Sequence, residues 1–568
     1  MPPVPDSLRI LASLRSLDED GFARLLRARR VQARGMEDLL DLAEWLESPA
    51  NIASALERLD WPTLRGLRTG APEALAHAAA LQLAVVEDPE AGTVALLPEA
   101  SRQLDALLPE PPAWDDAELA AEAAGTEAAH AATQLANDAL WLIAAESRAV
   151  HHARERLRLS GVELRRIAAE LDRDPHIVDS TYRWLFEAGL IAPSQEVWRL
   201  TERGHGFLIR PVAERWRALV ETWLGELRLD GVRALAESAG VRLAAGALPE
   251  AEGESVLADA EALGMLDRGA LTPLGARALD DDLDGAVGIL AAHLPAPVEQ
   301  VYVQPDQSIL APGPLEGELD LRLRRVARLE NRAMASEYRL TPASVTRALN
   351  AGMTEDEIRA LLAEVSLTGI PQPVDYLIGS TAAQHGRVRV RAHDTGSGIS
   401  TRVRAESEEL RDAIEVDTAL GTLGLQRAGE ELSTRLPPRV ALAALLDARY
   451  PAVLEDAEHR LVPEPFEETA EPHVPLATPT AMRAAAELAG QAAEGDHADD
   501  RITWLQRRLE LARRNKAEVR VRIDVPGKEA VTLALVPVAV NTQRLRAIDL
   551  DADVERTVPT RAILSIEE

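Results

Sequence analysis

Cysteine is absent from all 568 residues, so disulfides and thiolate metal sites are excluded. Aromatic residues make up only 3% of a chain that is 46% apolar, so its cores must be built from Leu, Ala and Val, which favours helices. Of 62 basic residues only Lys516 and Lys528 are lysine; the rest are arginine. That bias reflects a GC-rich genome better than a function. No apolar run reaches the ~18 residues needed to span a bilayer. Met1-Pro-Pro-Val-Pro5 has neither the charged nor the apolar region of a signal peptide. These absences predict a cytoplasmic protein with no membrane partner.

Catalytic signatures are missing as well. Lys528 follows Gly527 but precedes Glu529, and Lys516 has no glycine loop, so no Gly-x-x-x-x-Gly-Lys-(Ser/Thr) phosphate cradle exists. His151-His152 is the only histidine pair, and neighbours on a helix point apart, which makes a poor metal site. Gly-x-Ser-x-Gly is absent, and Gly396-Ser-Gly398 reads as a hairpin tip. The expectation is a non-enzymatic chain with no cofactor and no metal. Net charge is −31, which excludes general polyanion binding. Any nucleic-acid contact must come from a local basic face. The acidity suits a basic partner or a limit on non-specific DNA binding.

The length predicts roughly three to five domains, and the fold class is mainly α with α+β. Residues 1–108 read as an N-terminal helical domain with stripes at Leu8, Leu11, Leu14, Leu17, then Phe22, Leu25, Leu26, then Leu39, Leu42, Leu46, then Ile52, Leu56, Leu59. Residues 109–133 read as a Pro-, Ala- and Glu-rich linker ending in a poorly anchored helix. Residues 134–210 read as a winged helix: a helix from Gly161, a turn at Asp172 to Pro175, a helix from His176 to Ala188, and a wing strand at Val197 to Thr201. In a DNA reader the second helix would present His176, Asp179, Ser180 and Arg183 to the groove, with Arg165, Arg166 and Arg173 on phosphates. The alternative is a protein-docking or spacer unit. Residues 211–297 hold a second, acidic winged-helix-like unit. It repeats the phrase Gly-Leu-Ile … Leu-Thr (Gly189, Thr201) as Gly-Met-Leu … Leu-Thr (Gly264, Thr272).

Residues 298–465 carry ordered structural punctuation. Val301, Val303, Ile309 and Leu310 flank a Pro-Asp turn, and Leu319 to Leu329 has helical spacing. Thr341-Pro342 opens a helix stopped at Gly352, and Thr354 with Glu357 forms a capping box. Gly369 stops that helix before Pro371. Arg387, Arg389 and Arg391 alternate with Val388 and Val390 as a strand, followed by a strand at Arg402 to Ala405 and a helix at Ser407 to Ile414. The expected order is β-β-α-α-α-β-β-α in one compact unit. Leu423 to Leu461 forms a small extension. Five motifs in this stretch resemble the N-terminal domain of the XPB family of helicases. They are Asp306-x-x-Ile309, Glu337-Tyr-x-Leu-Thr-x-x-Ser344, Gly352 to Ile358, Ser366-x-Thr-Gly-x-Pro371 and Gly386-Arg-Val-Arg-Val390. The whole chain resembles actinobacterial helicase-associated proteins that carry such a domain without a motor.

Residues 466–500 read as a linker, partly helical at Thr480 to Glu494. Residues 501–568 read as a helix and five strands closing a small SH3/Sm-like β-barrel, with a turn at Val525 to Glu529. Val536-Pro-Val538, Arg556 and Arg561-Ala-Ile563 resemble the WYL domain of bacterial DNA-damage-linked regulators. The Trp-Tyr-Leu signature itself is replaced by Arg544-Leu-Arg-Ala547. This end is the most basic: Arg501, Arg507, Arg508, Arg513, Arg514, Lys516, Arg520 and Arg522, with Arg556 and Arg561 beyond. Such a patch suits single-stranded nucleic acid or pairing with the chain's own acidic faces. The resemblances imply a DNA-binding, helicase-associated adaptor in DNA repair, with DNA and a helicase or other repair protein as partners. The alternative is a WYL-type winged-helix transcription regulator that responds to a ligand or nucleic acid.

Overall fold

The computed structural model describes residues 5–567 except 32–35, 37, 89–92, 109–111, 115–116, 145–149, 152–157, 195–196, 242–249, 332–335, 395–398, 464–468, 474–478, 495–496 and 526–529. The expected hairpin tip at Gly396-Ser-Gly398, His152, and most of the expected turn after Val525 lie outside the described residues. Two compact units emerge: residues 1–117, 224–256 and 474–568, and residues 118–223 with 257–473. No helix among the described residues is long and apolar enough to cross a membrane.

In the first unit, side-chain caps set the early helices. Asp18 caps Glu19–Ala28, Asp38 and Asp41 form a capping box for Leu39–Glu47, and Asp60 caps Trp61–Thr69. Phe22, Leu42, Leu46, Ile52 and Leu56 are completely buried or nearly so. The C-terminal segments join this core. Helix Pro479–Glu494, expected within a linker, packs on Glu19–Ala28, and its Ala485 and Leu488 are buried. From helix His497–Asn515, the Trp504 indole donates to Ser7 Oγ at 3.0 Å. The terminal strands are Val519–Ile523, Val531–Val540, Arg544–Asp549, Val554–Pro559 and Ile563–Glu567. They are antiparallel, and the last lies beside the first. The 3-10 turn Thr560–Ala562 joins the two edge strands, so the sheet curls strongly. Among the described residues no ladder forms between those edges, so the expected closed barrel is an open sheet. Closure would need the row of N–H and C=O groups along Val554–Pro559 to face the last strand.

In the second unit, the stretch expected as one α+β core contains two. The first is buried around Val301, Ile309, Leu323, Tyr338, Val345, Ile358 and Ile378. Its four-stranded sheet includes Arg328–Asn331 and Glu337–Arg339, which the expected order lacks. Strands of three or four residues show too little alternation to be read. Helix Gln372–Gln384 also appears, because after the stop at Gly369 Pro371 supplies its N-cap and Pro373 its first turn. The second core, around Val388, Val390, Val403, Leu432, Leu442 and Leu445, backs a five-stranded sheet. Strands Gln426–Ala428, Glu431–Thr434 and Ala452–Leu454 complete that sheet beside Val388–Asp394 and Ile399–Ala405. A polar strut links the cores: His385 Nε2 lies 2.8 Å from Asn350 Oδ1, and the Asn350 amide donates to the Ala452 carbonyl at 3.1 Å.

One local device occurs three times. Helix Pro175–Glu187 ends at left-handed Gly189 (φ 67°) and enters the hairpin Ile191–Ser194 with Val197–Leu200. Thr201 then donates its hydroxyl to the Gly189 carbonyl at 2.6 Å, and the Thr201 Oγ1 in turn accepts from the Gly204 N–H at the start of helix Glu202–Ile209. Helix Glu250–Ala262, Gly264 (φ 77°), Leu266–Asp267 with Ala270–Leu271, Thr272 and Gly275 repeat these bonds. In the first unit, helix Pro72–Ala80, Gln82 (φ 57°), Ala84–Asp88 with Thr93–Leu96, and helix Pro98–Leu107 follow the same path. The closing amide–carbonyl bond recurs in each copy: Leu97 to Leu83, Thr201 to Leu190, Thr272 to Met265. The first copy lacks the threonine–glycine phrase, so the sequence shows only the other two. Helix Glu122–Ala144, read as poorly anchored, is buried along Ala129, Thr133, Ala136 and Leu140. Its Gly125 meets Gly264 so closely that a Cβ at Gly264 would lie 2.2 Å from the Gly125 carbonyl oxygen. Alanine-rich helices pack through small residues on several sides, which flattens the periodicity.

Gly204→Ala places a Cβ 2.1 Å from the Leu190 carbonyl oxygen. It is expected to cost about 1–3 kcal/mol, as overpacking does, and to lower the thermal midpoint. Gly206→Ala, with open space around it, is the control. Equal midpoints for the two variants would refute the close approach. A second prediction concerns pH. Burial, and then the Arg389 guanidinium, push the His385 pKa below its usual ~6.5. The folded state therefore favours the neutral ring, whose contribution is complete above the unfolded pKa and lost as pH falls through the folded one. Below about pH 6.5 the wild-type midpoint should fall faster than that of His385→Gln. Parallel curves would remove the histidine from this role.

Candidate nucleic-acid interface

Ser160 caps helix Gly161–Leu171, and its end is set by Asp172 in the left-handed region (φ 52°). Asp174 caps the second helix, which starts with Pro175. Val178, Tyr182, Trp184, Leu185 and Trp198 bury the inner face of this helix–turn–helix–hairpin. Burial holds the Tyr182 hydroxyl well above the usual tyrosine range. The outer face is less open than the sequence implies. Arg165, Arg173 and His176 are exposed. Arg166 is drawn onto its own helix by Glu163 at 2.5 Å and Glu170 at 3.0 Å. Ser180 and Arg183 do not face solvent freely. Both reach Asp259 at 2.6 Å, and that carboxylate is buried. Asp259 lies on the acidic helix of the following copy, 76 residues beyond Arg183, which is out of reach of any local periodicity.

The C-terminal cations are mostly paired within the first unit. Arg507 bonds Asp38 and Asp41, and Arg508 lies over the Trp504 ring, 5.8 Å from its centroid. Arg513 and Arg514 share Glu510, whose carboxyl Arg513 first and Arg514 next pull down to about 2. Arg556 bonds the buried Asp549 at 2.5 Å. Lys516, Arg520, Arg522 and Arg561 stay exposed. The structure thus separates the predicted residues into two groups, one on each unit, and turns many of them to internal carboxylates.

A denser arrangement was not singled out from the sequence. In the five-stranded sheet of the second unit, Arg389 pairs across the strands with Arg404, and Arg391 with Arg402. The alternating Val388, Val390 and Val403 face the core, so all four arginines share the opposite face. Beneath them lies Glu455, whose side chain is fully buried. It accepts from Arg404 at 3.1 Å and lies 3.6 Å from both Arg389 and Arg391, with His459 Nδ1 at 3.0 Å. Arg391 also donates to Glu431 at 3.0 and 3.1 Å. Three of the four arginines therefore share two carboxylates, and Arg402 donates instead to the Ala428 carbonyl at 3.4 Å. Arg-Val-Arg-Val-Arg and Arg-Val-Arg each display this face by period two. Their cross-strand register is what joins them.

Residues 301–429 match a family model described as a helicase conserved C-terminal domain. The match takes in the first core and three of the five strands of the arginine-bearing sheet, the two that carry the arginines among them. No curated protein matches the chain. The match points to a helicase-related, nucleic-acid-linked function for this region.

Asp259→Asn removes the carboxylate shared by Ser180 and Arg183. It should destabilise the protein by about 1–3 kcal/mol, the cost of unsatisfying buried donors, measured as a lower midpoint in thermal melting. An unchanged midpoint would show that the contact contributes nothing.

Proposed function

We propose that this chain is a non-enzymatic, helicase-associated adaptor that holds nucleic acid and docks a helicase or DNA-repair partner. The single observation that carries the reading is the coincidence, within residues 301–429, of a helicase-type match and a sheet with four arginines on one face. On a chain of net charge −31, such a local excess of cations is the feature most suited to phosphate. The lack of a phosphate-cradling lysine loop supports a passive role. The XPB N-terminal-like motifs, from Asp306-x-x-Ile309 to Gly386-Arg-Val-Arg-Val390, support partner docking by the same region. The exposed Arg165, Arg173 and His176 of the winged-helix-like module offer an auxiliary contact.

Affinity capture of the full chain from its host, with and without nuclease, is expected to recover a helicase or another DNA-processing protein. The pure chain should turn over no ATP with or without DNA. Recovery of no such protein and no nucleic acid would overturn the adaptor role, and nucleotide turnover would overturn its passive character.

A further inference from the structure

The four-arginine sheet has a shape that limits what it can hold. Its outward positions include Arg389, Arg391 and His393 on one strand, Arg402 and Arg404 on the next, and Glu431 and Ser433 beyond. None is Phe, Tyr or Trp, so single-stranded bases find no stacking platform. Nor do the guanidinium groups project far. The side chains of Arg389, Arg391 and Arg404 are 34%, 22% and 40% exposed, held down by the buried Glu455. A groove about 8.5 Å deep is beyond such flattened side chains. What they offer is a plane of N–H donors, with neighbours along a strand about 6.7 Å apart.

Resting on the nucleic-acid reading above, we propose that this face grips the phosphate backbone of duplex nucleic acid without reading bases. Glu455 is its positioning residue. Lying under the arginines and touching three of them, it fixes one side of each guanidinium, while Arg389 also donates to the Gly386 and His459 carbonyls and Arg391 to Glu431, so phosphate would meet the donors that these bonds leave over. Glu431, at the rim on Arg391 alone, is instead a counter-charge that competes with phosphate.

The two carboxylates therefore predict opposite outcomes. Binding of the full chain to two 20-base-pair duplexes of unrelated sequence, and to one matching single strand, would be followed by fluorescence anisotropy at stepped salt. The wild type should bind both duplexes within about twofold and the single strand more weakly. Arg402→Ala with Arg404→Ala should lose about tenfold in duplex affinity and flatten the log–log salt slope by about two. Glu431→Gln should tighten binding, whereas Glu455→Gln should weaken it three- to tenfold despite adding the same positive charge. Circular dichroism checks that each variant folds; should Glu455→Gln fail to, the arginine and Glu431 variants still decide whether the face binds. Tighter binding by folded Glu455→Gln would overturn its positioning role. A single-strand preference, strong sequence dependence, or an unchanged double-arginine variant would overturn the proposed face while leaving nucleic-acid binding elsewhere intact. No binding by the wild type at low salt would overturn the nucleic-acid reading itself.

Discussion

Carboxylates outnumber cations by 93 to 62, and almost every cation is a guanidinium. That ratio is the constraint on which the rest depends. A planar, permanently charged fork with five donors satisfies two acceptors at once, and here an acceptor is rarely far away. Arg507 ties the C-terminal helix to the capping aspartates of an N-terminal one. Arg183 ties one copy of the helix–hairpin–helix device to the next. Arg29 goes further: it is buried, its guanidinium donates to the carbonyls of Leu46, Asn51 and Leu81, and burial, with Arg58 nearby, lowers its pKa to about 10. In such a chain a cation-rich surface arises only where carboxylates are fewer than their partners. The face over Glu455 is such a place.

Much of the secondary structure is legible because its signals are local. Thr341-Pro342, Thr354 with Glu357, and the Val-Arg alternation each state a helix start or a strand within a few residues, and the structure uses each as expected. What escapes the sequence is distant pairing. The division of residues 301–454 into two cores depends on a strand at Ala452–Leu454 running parallel to Val388–Asp394. The open edge of the C-terminal sheet depends on which backbone groups fail to meet. The candidate site divides in the same way. Arg165, Arg173 and His176 are exposed, as the helical pattern implies. Arg183 and Ser180 are turned inward by a carboxylate that no window of a dozen residues contains. The four-arginine face needs a register, which alternation alone leaves free.

The helix–hairpin–helix device shows how one backbone path tolerates different chemistry. Its geometry rests on a left-handed residue, a short hairpin and a closing amide bond, none of which fixes the charge of the helix before it. The second copy carries Arg183 there, and the third carries Asp259. Complementary charge on equivalent helices lets neighbouring copies clasp each other.

The crossing of Gly125 and Gly264 has a consequence on another timescale. Each glycine leaves no room for a side chain on the other, since a Cβ at either would sit within 3.0 Å of the opposite carbonyl oxygen. Neither position can drift alone: a larger residue at one requires the backbone at the other to retreat. Over descent the two should behave as a single inherited character, gained or lost together although 139 places apart in the chain.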